Sequence, residues 1–151
     1  MPDLSTTELM ILKFENVMNK YNALEKKPRY YGTKDLLYKS EVHTIEAIGK
    51  NSGINVTELA QYLNITKGAV SQMIDKLIKK NLVVKTPVSE TEVSLSLTQN
   101  GILVFKGHEE YHKGFYGEIS HELKRLSPKN LETYFNILNI LDKFLDEKSK
   151  K

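Results

Sequence analysis

His108 and His112 stand four residues apart, so on a helix their imidazoles share one face, with Glu109 between them. Neutral imidazoles with a carboxylate are a sound ligand set for zinc. The run from His108 to His112 also fits H-E-x-x-H, in which two histidines hold zinc and the glutamate, here Glu109, activates a water for hydrolysis. That enzyme reading fails on context. No third ligand follows at the spacing such a site uses, and Gly107, Gly114 and Gly117 weaken the helix that would carry it. No Ser–His–Asp set, phosphate loop or dinucleotide fingerprint is assignable elsewhere, so the chain is read as a non-enzyme. A pair of histidines at this spacing is more often local packing than a ligand set, and that plainer reading is preferred on the residues alone.

A second group has a different chemistry. Thr66, Lys67, Gly68, Ser71 and Gln72 put short polar side chains at the start of a helix, where base edges in a DNA major groove can be reached. Lys76, Lys79 and Lys80 continue along the outer face toward phosphates, and Lys85 follows at the base of a hairpin. The net charge of +3 proves little, but the stretch from Leu63 to Thr86 holds five lysines against one acid, Asp75. Isolated lysines on a helix are ordinarily just a solvated face. Their placement within an ordered set of elements is what favours DNA.

Those elements are legible from periodicity. Val56, Leu59, Ala60 and Leu63 mark a short helix from about Thr57, Asn64–Ile65 a tight connection, and Thr66 the cap of a helix that buries Val70, Met73, Ile74, Leu77 and Ile78. Helix, short turn and helix, with small Ala60 at the crossing, is the helix-turn-helix arrangement. Strands at Leu82–Thr86 and Val93–Leu97 follow, joined by a wing at Pro87–Glu92. Before this lobe lie a helix over 4–25, with a stripe of Ile11, Phe14, Met18, Tyr21 and Leu24, and a second capped by Ser40. After it, a helix from Thr98 reaches about Arg125, Ser127–Pro128 starts the last one, and 147–151 form a frayed tail. The fold class is mainly α, a winged helix-turn-helix lobe over 40–100 with helical extensions, all within one domain over 1–151.

The last helix carries a heptad-like seam of Leu131, Tyr134, Leu138, Leu141 and Leu145, beside a stripe of Ile137, Ile140 and Phe144. That exceeds what one small lobe buries, so 1–32 and 121–151 are read as dimerisation segments. The chain has no cysteine, which removes disulfides and thiolate–zinc fingers, and no apolar run of membrane-spanning length or signal-like start. A cytoplasmic protein without a membrane partner is the expectation.

These features together resemble the MarR family of bacterial and archaeal regulators. SEVHTIEAIG, VTELAQYLNITKGAVSQMIDKLIKKNLV and SLSLTQNG carry the likeness over nearly the whole chain, most specifically in the helix-turn-helix and in LTQNG. The resemblance implies an obligate homodimer, a palindromic duplex operator, and repression usually relieved by a ligand. One departure concerns the wing. The family's wing has an Asp-x-Arg-Asp-like segment whose Arg enters the minor groove, whereas TPVSETEV is shorter, lacks Arg and carries Glu90 and Glu92. Acids near phosphates repel them. This wing is the best support for a competing reading as a protein-binding adaptor.

Certain zinc-sensing members of the family carry a similar His-x-x-x-His, plus a Glu and a His at the start of the second helix, and zinc promotes their DNA binding. By that resemblance His43, His108 and His112, with Glu41 or an N-terminal acid such as Glu15, would hold zinc, although the register at His43 is one residue off. The other candidate ligand is a small aromatic effector among Tyr30, Tyr31, Tyr38, Tyr111 and Tyr116, residues that as core or interface aromatics need no ligand.

Overall fold

The computed structural model describes residues 4–150. Along them run α1 (Thr6–Glu25), α2 (Lys39–Lys50), α3 (Val56–Leu63), α4 (Lys67–Lys79), β1 (Val83–Pro87), β2 (Val93–Leu97), α5 (Gln99–Leu123) and α6 (Pro128–Ser149). The architecture is mainly α with a two-stranded antiparallel wing, as the sequence predicts. Two compact units divide the chain, one up to Glu109 and one from Glu110.

In the first unit the apolar periodicities of three helices converge. Val42, Ile45 and Ile48 of α2, Leu59 and Ala60 of α3, and Val70, Ile74 and Leu77 of α4 are buried together with Leu82, Leu95 and Val104. Each large aliphatic side chain so removed from water contributes ~1.5–3 kcal/mol. Caps set the ends. Asn55 Oδ1 accepts the Glu58 N–H at 2.9 Å and Glu58 returns the bond to the Asn55 N–H at 3.0 Å, starting α3. Asn64, at φ 54, ends α3 in the left-handed region that Asn tolerates. Thr66 Oγ1 then accepts the Ala69 N–H at 3.2 Å and starts α4.

Four expectations need correction. Ile78, placed on the buried side of α4, is exposed. Ser40 does not cap α2: the helix begins at Lys39, and Glu41 reaches back from its first turn to accept the Tyr38 N–H at 2.9 Å. β1 begins one residue later than predicted, because the Leu82 N–H bonds back to Leu77 O at 2.9 Å and closes α4. The tail is helical to Ser149, while Lys151 lies outside the described residues, as do 1–3 of the first dimerisation segment.

The wing pairs Val83 with Leu97 through to Pro87 with Val93. Gly53 and Ile54 bond the other edge of β2 at Leu95, with N···O distances of 3.1 and 2.9 Å. At the entry to α5, Thr98 Oγ1 donates to Asn81 O at 2.7 Å and accepts the Gly101 N–H at 3.0 Å. Gly101 packs against the Leu82 carbonyl so tightly that a Cβ would lie 2.0 Å from its oxygen. LTQNG therefore ties the wing to α5.

In the second unit Ser127 Oγ accepts the Asn130 N–H at 3.2 Å and Pro128 occupies the first turn of α6, as predicted. Leu131, Ile137, Leu138 and Leu141 are half-buried, whereas Tyr134, Ile140, Phe144 and Leu145 stay exposed. α1 shows the same excess: Phe14, Tyr21 and Leu24 are half-buried, but Ile11 and Met18 of its predicted stripe are exposed. Among the described residues no helix is long and apolar enough to cross a membrane.

Candidate nucleic-acid interface

α4 sorts its residues by face. With Val70, Ile74 and Leu77 turned into the core, Thr66, Lys67, Gly68 and Gln72 are exposed and Ser71 is half-buried. All five predicted base-reading residues thus gather at the N-terminal end of one helix. Ala69 belongs to this exposed face and was missed. Its position three residues from both Thr66 and Gln72 was the available signal. Nothing would stand within 4 Å of a Cβ at Gly68, so the surface there is open.

The four lysines assigned to phosphates divide. Lys76 and Lys79 are exposed and have no ion-pair partner among the described residues. Lys80 Nζ instead donates to Glu41 Oε1 at 2.7 Å and to Leu36 O at 3.2 Å. Lys85 Nζ donates to Asp75 Oδ1 at 2.9 Å, tying the wing base to α4. Glu41 is 5% exposed, and its two oxygens accept from the Tyr38 N–H and from Lys80. The wing tip closes through the N–H groups of Val88 and Ser89, which donate to Glu92 O at 2.9 and 3.2 Å. The Glu92 carboxylate accepts from Asn55 Nδ2 at 2.8 Å, so this acid is held at the start of α3.

A separate cluster forms between α2 and α5. His108 is 4% exposed, and its Nδ1 lies 3.7 Å from Glu46 Oε2. The His43 and His108 rings are 5.6 Å apart, and Tyr31 meets His108 edge-on at 5.5 Å. One ligand atom from each of His43, Glu46 and His108 lies within 4.8 Å of the others. Partial burial opposes ionisation of Glu46, but the hydrogen bond and charge of Lys50, with His108 and His43 adding, hold its carboxyl below the usual glutamate range. Glu46, and not Glu41, is the carboxylate that this cluster brings to His43 and His108. His112 belongs to the second unit, half-buried with its ring stacked on Tyr116 at 5.4 Å. Of the tyrosines, Tyr31 is buried, Tyr111 stacks on Phe115 at 6.4 Å, and Tyr30, Tyr38 and Tyr116 are exposed.

The MarR family model matches residues 35–91, the stretch from the start of the helical lobe into the wing. FabT of Streptococcus pneumoniae, solved in complex with DNA, is 26% identical with a TM-score of 0.67, covering 93% of this chain and 95% of its own. The lobe over residues 35–91 is of the MarR family. Among relatives, the uncharacterized HTH-type transcriptional regulator YhjH of Bacillus subtilis (strain 168) is 31% identical over 105 residues, 67% of this chain and 60% of YhjH. The chain spans about three fifths of that relative's length. Lactococcus lactis ZitR, a zinc-responsive MarR family member, has the same fold, with a TM-score of 0.76 at 17% identity over 93% of this chain and 99% of ZitR.

Proposed function

We propose that the chain carrying this MarR-family lobe is a dimeric, sequence-specific, DNA-binding transcriptional regulator, without enzymatic activity, acting in the cytoplasm as a ligand-responsive repressor. The observation that carries this reading is the N-terminal end of α4, where exposed Thr66, Lys67, Gly68 and Gln72 and half-buried Ser71 meet on a capped helix. Small and polar groups there suit base edges in a major groove. The exposed apolar residues of α1 and α6 supply the surface for a second copy, including Phe135 and Ile140 at 64% and 69% exposure. Two symmetric α4 helices read a palindrome. Without an Arg in the wing, affinity rests chiefly on α4.

The lysines test this reading against the protein-binding adaptor. Lys79→Ala is expected to weaken retention on all duplexes alike and to flatten the salt dependence, leaving stability unchanged. Lys80→Ala should instead cost about 1–3 kcal/mol of stability in a denaturant melt, because the buried Glu41 carboxylate loses its cation. Duplex retention that is weak and insensitive to salt in the parent protein would favour the adaptor.

A second reading adds zinc as the effector, held by His43, Glu46 and His108. Two imidazoles and one carboxylate suit the ion and leave a fourth position for water or another ligand. Bound zinc would cross-link α2 to α5 and neutralise the Glu46 charge. In competition with a chromophoric chelator, His43→Ala and Glu46→Gln are each expected to weaken zinc uptake at least tenfold. Weakening by Glu41→Gln but not by Glu46→Gln would restore the ligand set read from the sequence.

A further inference from the structure

We propose that the hollow between the start of α2 and the C-terminal half of α4 binds a small organic phosphate monoester carried on a flat apolar body. The hollow measures about 580 Å³ and is lined by Lys76, Lys79 and Lys80 together with Tyr38, Met73 and Glu41. That volume lies within the range of small-molecule sites, ~300–1,000 Å³. Three ammonium groups face one carboxylate, which is already bound to Lys80, so two positive charges stay unbalanced. A phosphate monoester near neutral pH carries about −1.5 to −2 and matches them, whereas a carboxylate or a phosphodiester supplies one.

The dipole of α4 alone accounts for cations in its last turn. It does not account for a half-exposed tyrosine ring and a half-buried methionine lining the same hollow, with Tyr38 at 56% exposure. Those two supply the apolar surface on which a flat ring settles, with lysine charges above it. The regulatory consequence rests on the DNA-binding reading: an occupant draws Lys76 and Lys79 away from DNA phosphates, so duplex affinity falls.

The test is calorimetric titration of the DNA-free protein with phenyl phosphate, with benzoate and dimethyl phosphate as comparisons. Saturable uptake of one phenyl phosphate per chain is expected, with both comparison anions at least tenfold weaker. Tyr38→Ala, which keeps the backbone N–H that caps α2, and Lys76→Ala should each weaken uptake at least tenfold. No saturable uptake, uptake unchanged in both variants, or equal binding of dimethyl phosphate would overturn the assignment. Duplex retention is measured separately: Tyr38→Ala should retain DNA as the parent does and lose the response to phenyl phosphate. Uptake of phenyl phosphate by a protein that retains no duplex would remove the DNA reading and leave the site standing.

Discussion

A Gly101→Ala variant is expected to lose about 2–4 kcal/mol of stability, a large part of what a domain of this size possesses. Its Cβ would lie 2.0 Å from the Leu82 carbonyl oxygen, and backbone cannot swing aside as a side chain can. The same oxygen accepts the Thr98 N–H at 3.1 Å, so relief of the clash strains the bond that joins the wing to α5. Thermal unfolding should move down by roughly 5–15 °C. Gly114→Ala is the matched control. Nothing stands within 4 Å of a Cβ there, and alanine in a helix interior is favoured over glycine by about 1 kcal/mol, so this variant should be as stable as the parent or more so. Equal melting temperatures for the two variants would contradict the packing described for Gly101.

Lys67→Glu is expected to leave folding intact and to remove most operator affinity. Lys67 is exposed at the first position of α4, where a negative charge suits the helix dipole and adds ~0.3–1 kcal/mol. Against DNA the same charge faces phosphates and replaces a donor. A good base contact discriminates by about 1–3 kcal/mol, and a dimer carries two copies, so the loss should reach roughly 2–6 kcal/mol. An electrophoretic mobility shift at fixed salt, with a denaturant melt beside it, checks both halves. Retained affinity at parental stability would mean that α4 does not enter the groove.

Local signals were the legible part of this fold. Thr66, Ser127–Pro128 and the strand over Val93–Leu97 rest on signals within a few residues, and each sits where the sequence placed it, although only Leu95 of the strand's apolar residues is buried. The exposed face at the start of α4 followed from helical period alone, save for Ala69, whose small apolar side chain does not stand out among polar neighbours. What the sequence could not reveal were pairings across long separations. Lys80 finds Glu41 and Lys85 finds Asp75, so two cations assigned to phosphates are already engaged. The carboxylate beside the histidines was hidden for the same reason. Glu41 stood beside His43 in the sequence, but its carboxylate caps α2, while Glu46, nearly one turn beyond His43, shares that face and meets His108. The role of Gly101 likewise depends on a carbonyl nineteen residues earlier.

The most direct measurement is selection from a random duplex library on the parent protein, repeated with the Lys67→Glu variant. Enrichment of one palindromic site by the parent, and of none by the variant, is the predicted result. It would place two copies of α4 in successive major grooves. No enrichment by the parent at low salt, or a palindrome equally recovered by Lys67→Glu, would contradict the assignment of α4 as the DNA-reading element.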